Sequence, residues 1–130
     1  MSLFKKHSES TVVLTTEVKK IGSGAREFLA EKMIIFFGDK APEYLAEHCF
    51  IIGDASGDYP LSAGDTLGIG TSRYKITAVG DVAKQNFQAL GHLVVQFDGA
   101  KKASQPGMIH VEAKPMPDIE VGTRLTLEHA

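Results

Sequence analysis

The sequence has no tryptophan, and Cys49 is its one cysteine. A lone cysteine can form neither an internal disulfide nor a two-cysteine zinc site, which suits a reducing compartment. A chain of 130 residues needs no such support, because one domain of that size buries roughly two-thirds of its unfolded surface. No P-loop, nucleophile elbow or zinc-protease helix is present. The sequence therefore predicts neither a metal nor a cofactor.

Long apolar runs and clusters of basic residues are also missing. The longest apolar runs, residues 33–37 and 49–52, are far shorter than the ~20 residues of a membrane-spanning helix. Residues 1–10 have no apolar stretch of the signal-peptide type, so we expect a cytoplasmic protein. Lysine and arginine occur at most in pairs and the formal net charge is −2. Without a concentrated basic face, nucleic-acid binding is not predicted.

What the sequence does contain is a series of short apolar or alternating segments separated by glycine, proline and aspartate. Such segments are typical of β-strands. The strands are predicted at residues 11–20, 33–37, 49–52, 66–69, 73–79, 92–97, 108–111 and 124–128. Gly68-Ile69-Gly70 is expected to be a hairpin turn rather than a phosphate loop, because no helix is predicted after it.

Three short helical segments are predicted between the strands, at residues 25–32, from Pro42 to about Glu47, and from Asp81 to the left-handed cap Gly91. The predicted fold is a mainly-β single domain over residues 11–128, a barrel or sandwich-like barrel of about seven to nine strands with two or three short helices. Residues 1–10 are predicted to be a disordered or artificially added tail.

Two segments share one pattern, residues 61–67 (LSAGDTL) and 119–125 (IEVGTRL). Each segment has a glycine at its fourth position and ends on a leucine that is the second residue of a predicted strand. Reuse of one turn design and an internal duplication are both consistent with this pattern.

Histidine is the residue type best suited to carry chemistry in this chain. His7 and His129 lie in the terminal segments and are predicted to have no role. His48, His92 and His110 lie inside the predicted fold. His48 is the weaker candidate, because a histidine that ends a helical segment is simply explained by the helix dipole.

His92 and His110 each lie on the non-core face of a predicted strand. His92 follows the best predicted helix and either caps its carbonyl groups or offers a solvent-facing imidazole. His110 alternates with the core residue Ile109, so it is expected to face solvent or a cleft together with Glu112. A carboxylate there could orient a nucleophilic imidazole. An exposed histidine that is merely paired with Glu112 is the alternative.

Four phrases in a fixed order resemble one known family, the glucitol/sorbitol-specific IIA components of the phosphoenolpyruvate-dependent sugar phosphotransferase system. The phrases are residues 41–51 (APEYLAEHCFI), 73–92 (RYKITAVGDVAKQNFQALGH), 97–99 (FDG) and 106–111 (PGMIHV). The likeness runs from about Thr11 to Leu127 and so covers nearly the whole chain.

The resemblance implies a phosphocarrier and a component of this phosphotransferase system. Such a protein accepts a phosphoryl group on a histidine from the phosphocarrier HPr. It passes the group to the IIB part of a membrane permease, its only contact with the membrane. His92 and His110 fall within the matching phrases and are the candidate acceptors. Arg73 also falls within one and could bind phosphate bidentately; a surface arginine paired with a carboxylate is the alternative.

One position departs from the family pattern. Family members can carry their assigned acceptor histidine directly after Cys-Phe-Ile, where this sequence has Ile52, which cannot accept phosphate. Either another histidine is used, or the usual assignment is unsafe, or transfer has been lost. A non-catalytic regulatory or binding barrel is therefore the alternative function, and a small-ligand barrel is a third. A hairpin over residues 98–107 would bring His92 and His110 close together, provided that the strand register puts them on one face.

Overall fold

The computed structural model describes residues 10–130. Eight strands form one closed barrel: β1 (Thr11–Ile21), β2 (Met33–Phe37), β3 (Phe50–Ile52), β4 (Thr66–Ile69), β5 (Ser72–Val79), β6 (Leu93–Gln96), β7 (Met108–Val111) and β8 (Arg124–His129). The predicted mainly-β fold class is confirmed, and every predicted strand is present with bounds shifted by at most one residue. Apart from Ser10, the predicted tail lies outside the described residues.

The strands follow the order β1-β3-β2-β6-β7-β5-β4-β8 around the barrel. Strand β1 closes it, because its first part pairs with β8 and its last residues pair with β3. The pairs β2–β3 and β6–β7 are parallel, and the others are antiparallel. Closure leaves no exposed sheet edge, which removes the usual route to edge-to-edge aggregation.

The interior of the barrel is filled by apolar side chains from every strand. Several large ones are fully buried, among them Tyr74, Phe36, Phe50, Ile52 and Phe97. Each such burial stabilises the fold by ~1.5–3 kcal/mol relative to an exposed side chain. A second, smaller apolar cluster consists of Phe37 on β2, Ile51 on β3 and Cys49, which directly precedes β3.

Three short helices connect the strands. They are a 3₁₀ helix (Ala25–Glu31), α1 (Glu43–Ala46) and α2 (Ala83–Leu90). Helix α2 ends as predicted, on Gly91 with a left-handed φ of 69°. None of the helices among residues 10–130 is long and apolar enough to cross a membrane.

The two segments with a shared sequence pattern form the same turn. Gly64 and Gly122 have φ values of 98° and 94°, a region that strongly favours glycine. In each turn a side-chain oxygen, from Asp65 or Thr123, accepts the N–H of the residue three positions earlier. One turn leads into β4 and the other into β8, and these strands pair with each other.

The connection between β6 and β7, residues 98–107, is not a hairpin. Because β6 and β7 are parallel, the chain must return along the outside of the barrel before β7 can begin. It lies over β5 and β7, where the Thr77 hydroxyl donates to the Ala100 carbonyl at 2.6 Å and the Ser104 hydroxyl contacts Met108 Sδ at 3.5 Å. We refer to residues 98–107 as the flap.

Candidate functional site

His92 lies at the junction of α2, β2 and β6. The left-handed turn at Gly91 lets the chain leave α2 and enter β6, and the Gly38 N–H donates to the Leu90 carbonyl at 3.0 Å. Neither glycine can be replaced without strain, since a Cβ on Gly91 would lie 2.8 Å from Gly38 N. The packing of these two glycines sets the position of His92 beside the end of β2.

The His92 side chain does not cap the helix carbonyls. Its Nδ1 lies 3.3 Å from the Phe36 carbonyl oxygen, and its ring stacks on Phe37 with centroids 4.6 Å apart. A carbonyl can only accept, so this hydrogen bond requires the proton on Nδ1. In the neutral ring the lone pair is then on Nε2, which makes no hydrogen bond to any of residues 10–130. The half-buried ring therefore has a fixed tautomer and an available nitrogen.

The surroundings of His92 combine a buried apolar cluster with a small cleft. Phe37 belongs to the smaller apolar cluster, and α1 next to that cluster exposes most of Tyr44. On the other side, the turn at residues 38–40, the loop 53–56 and the end of α2 enclose a cleft of ≈ 300 Å³. Phe37 itself is only 6% exposed, so the exposed apolar side chains of this region are those of Tyr44 on α1 and Leu90 at the end of α2.

His110, in contrast, is sealed beneath the flap and is only 1% exposed. Its Nδ1 lies 2.8 Å from Asp98 Oδ1, and its Nε2 accepts the Ser104 N–H at 3.2 Å. The prediction that His110 faces solvent or a cleft beside Glu112 is wrong. The strand parity was correct, but the flap covers the outer face of β7, and Glu112 instead accepts the Lys75 N–H.

Asp98 is the partner of His110 that the sequence did not indicate. Desolvation acts to raise the pKa of Asp98, but the hydrogen bonds from His110 and from the Ala100 N–H outweigh it. They leave the pKa below its ordinary value. The Phe97-Asp98-Gly99 phrase was visible in the sequence, but nothing in its spacing linked it to His110. Asp98, His110 and Ser104 together hold the flap against the barrel.

His92 and His110 share the outer face of the barrel without being neighbours. The parallel register pairs Gln96 with His110 and Val94 with Met108. His92 is four positions before Gln96, so the two histidines are separated by about 13 Å along the strand direction. A two-histidine site is therefore not formed.

His48 and Arg73 lie elsewhere on the surface. His48 packs edge-on against Phe28, with Nε2 3.5 Å from Glu47 Oε1 and Nδ1 buried without a partner among the described residues. Arg73 binds Glu128, and this hydrogen bond is the main reason that the pKa of Glu128 is lowered. Arg73 is the second residue of β5, near the end of the strand opposite to the α2 junction, so it does not adjoin His92.

Sequence reasoning also missed the pair formed by Asp65 and His129. The Nδ1 of His129 lies 2.9 Å from Asp65 Oδ1, and Asp65 is almost completely buried. The two residues are 64 positions apart, so only the pairing of β4 with β8 brings them together. No sequence pattern indicated this contact.

Comparison with known proteins gives one consistent family. The family model described as "PTS system glucitol/sorbitol-specific IIA component" matches residues 13–126. This chain belongs to that family. Proteins from Shigella flexneri and Escherichia coli (strain K12), both described as the "PTS system glucitol/sorbitol-specific EIIA component", are each 40% identical over 119 residues, covering 91% of this chain and 96% of the relative.

One solved structure is similar to this chain in both fold and sequence. It is the crystal structure of a PTS system IIA component from Enterococcus faecalis V583. It has a TM-score of 0.78 and 30% identity, and it covers 86% of this chain and 97% of the other. The resemblance seen in the sequence phrases is thus confirmed, and this IIA protein is a component involved in phosphoryl transfer. His92 and His110 both fall inside the matched range, whereas His129 lies beyond its end.

Proposed function

We propose that this IIA protein is a phosphocarrier that accepts a phosphoryl group on Nε2 of His92. HPr is the donor, and the IIB part of a glucitol/sorbitol permease is the acceptor. The protein acts in the cytoplasm and meets the membrane only through that permease. The observation that carries the proposal is the contact between His92 Nδ1 and the Phe36 carbonyl at 3.3 Å, because it directs the lone pair to the unoccupied Nε2.

The proposed step is an in-line displacement at phosphorus. The Nε2 lone pair attacks as the P–N bond to the HPr histidine breaks, and that histidine regains its lone pair. The Nδ1 proton stays between His92 and the Phe36 carbonyl oxygen, which stabilises the positive charge that develops on the ring. Transfer of the phosphoryl group from His92 to an acceptor on IIB restores the neutral imidazole. Stacking on Phe37 keeps the ring in one orientation throughout.

Access favours His92 over His110 as the acceptor. Phosphorylation of His110 at Nε2 would require the flap to leave, because the Ser104 N–H occupies that nitrogen. Its Nδ1 is equally occupied by Asp98. His48 remains the weaker candidate, since its unpartnered Nδ1 leaves the tautomer of the ring unfixed.

The test is phosphorylation by phosphoenolpyruvate, enzyme I and HPr. His92→Ala is expected to abolish acid-labile, alkali-stable label on the IIA protein, whereas His48→Ala, a change at another partly exposed histidine, is expected to keep it. Thermal unfolding of both variants checks that they fold. Full labelling of folded His92→Ala would overturn the assignment of His92 as the acceptor. Transfer to IIB is measured separately, with the labelled wild-type protein.

A non-catalytic binding barrel is the second candidate function, and Ile52 is the observation that favours it. Ile52 is fully buried in the barrel interior, so the position where the family pattern puts an acceptor contributes no polar group. On this alternative, HPr binds the wild-type protein in a titration but no phosphoryl group is transferred. Labelling of the wild-type protein excludes it.

A further inference from the structure

A second oriented imidazole lies where β8 ends beside the turn that leads into β4. Asp65 is 1% exposed, and its Oδ1 accepts from His129 Nδ1 at 2.9 Å and from the Ala130 N–H at 3.1 Å. Its Oδ2 accepts the Ser62 N–H at 2.9 Å. Three donors therefore hold the Asp65 carboxylate in one position, and the carboxylate in turn fixes the imidazole ring.

The ring of His129 is held with its second nitrogen free. A carboxylate that accepts from Nδ1 keeps the proton there, so the lone pair of the neutral ring is on Nε2. The side chain is 43% exposed, and Nε2 makes no hydrogen bond to any of residues 10–130. The neighbouring Glu128 does not compete for the ring, because it is bound to Arg73 and Ser10.

His48 shows that exposure alone does not create this arrangement. Its side chain is 46% exposed, close to the value for His129. Its Nε2, however, lies near Glu47, and its Nδ1 is buried without a partner in the described part of the chain. The two histidines thus differ in orientation rather than in access, which makes His48 an internal control.

We propose that His129 is a second phosphoryl acceptor, reacting at Nε2, with Asp65 as its positioning residue. The donors are small molecules that carry a phosphoryl group on nitrogen, of which phosphoramidate is the smallest; a phosphorylated protein such as HPr is not among them. Nε2 attacks phosphorus, the P–N bond of the donor breaks, and ammonia leaves with the electron pair and a proton from the medium. The Nδ1 proton remains bound to Asp65, whose negative charge stabilises the cationic ring as the new bond forms.

This proposal does not rest on the role of His92. His129 is at the end of β8, on the opposite side of the strand order from β2 and β6. It also lies outside the range matched by the family model, which ends at residue 126. The proposed reactivity is therefore a property of this chain's own Asp65–His129 pair.

The experiment treats the full chain with potassium phosphoramidate, maps phosphohistidine by mass spectrometry over time, and identifies the ring nitrogen by NMR. We expect His129 to be phosphorylated at Nε2 and faster than His48 in the same sample. Asp65→Asn should slow labelling of His129 by about tenfold, as loss of an orienting partner does for other histidines, and leave His48 unchanged. The comparison within the wild-type protein needs no variant, so it stands even if Asp65→Asn fails to fold.

Labelling of His129 no faster than His48, or on Nδ1, would overturn the inference. A parallel reaction with phosphorylated HPr keeps this outcome separate from the proposed function. If His92 is not labelled by phosphorylated HPr, only the proposed role of His92 is overturned. If His129 is not labelled by phosphoramidate, only the proposal for Asp65 and His129 is overturned.

Discussion

For single residues, the partners of the two ring nitrogens together decide what each histidine can do. At Nδ1, His92 has a backbone carbonyl, and His110 and His129 have carboxylates. In each ring this partner fixes the proton on Nδ1 and directs the lone pair to Nε2. The three histidines differ at Nε2. In His110 this nitrogen accepts a hydrogen bond from the Ser104 N–H, whereas in His92 and His129 it makes no hydrogen bond to any described residue. His110 is thus a structural histidine that fastens the flap.

Replacing Asp98 by asparagine tests this structural role. The change removes the charge that accepts from buried His110, so we expect a loss of about 1 kcal/mol in the free energy of unfolding at pH 7. This lies at the low end of the usual range because the Asp98 side chain is 43% exposed. The measurement is urea denaturation, with label transfer expected to persist.

The pH dependence of that loss follows from the lowered pKa of Asp98. A carboxyl group with a lower pKa in the folded state stabilises the fold above its unfolded pKa, about 3.9, and this stabilisation is lost as the pH falls through the folded value. The stability difference between the wild-type protein and Asp98→Asn should therefore shrink below about pH 4. A difference that stays constant between pH 7 and pH 3 would contradict the account.

At the scale of elements, the end of α2 positions His92. The left-handed Gly91 ends the helix, its N–H donates to the Phe87 carbonyl at 2.8 Å, and its close contact with Gly38 joins α2 to β2. The turn fixes both the start of β6 and the distance from His92 to the Phe36 carbonyl. The site therefore depends on the backbone of two glycines as much as on the imidazole.

Gly91→Ala is expected to damage stability and phosphoryl transfer together. The new Cβ adds the cost of a left-handed φ to a clash at 2.8 Å with Gly38 N, together about 2 kcal/mol or more. Chemical denaturation and the rate of labelling by HPr measure the two effects. Gly64→Ala is the matched control, because Gly64 also has a positive φ but nothing lies within 4 Å of its Cβ position. Equal labelling rates for the two variants would refute the positioning role of this turn.

At the scale of the whole molecule, closure of the barrel decides which positions can meet a partner. Alternation predicted the inner face of β6 and of β7, and local patterns predicted the strand bounds and the Gly91 cap. On β1 alternation predicted that Val12 faces the core, which is wrong: Val12 is 53% exposed, and the β1–β8 register shifts between Val12 and Leu14. Parallel pairing of β6 with β7 was not readable from alternation, because pairing is set by contacts distant in sequence. That pairing covers His110 with the flap and separates it from His92. The pair of Asp65 and His129 was hidden for the same reason.

Ile52→His tests the closed interior directly. Ile52 is fully buried beside β1, so an imidazole there has no hydrogen-bond partner prepared for it. We expect a loss of about 3 kcal/mol or more in the free energy of unfolding, from lost apolar burial and an unsatisfied polar group. Ile52→Val, which keeps the site apolar, should cost about 1 kcal/mol. A stable Ile52→His protein that is labelled on residue 52 would show that this face of β3 is reachable.

Whether His92 carries the phosphoryl group on Nε2 can be measured by NMR of the phosphorylated wild-type protein with ¹⁵N-labelled imidazole rings. After reaction with phosphorylated HPr, we expect one phosphohistidine, at His92, bonded through Nε2 and with the proton retained on Nδ1. A phosphoryl group on His110 or His48, a bond through Nδ1 of His92, or binding of HPr without any phosphohistidine would contradict this expectation.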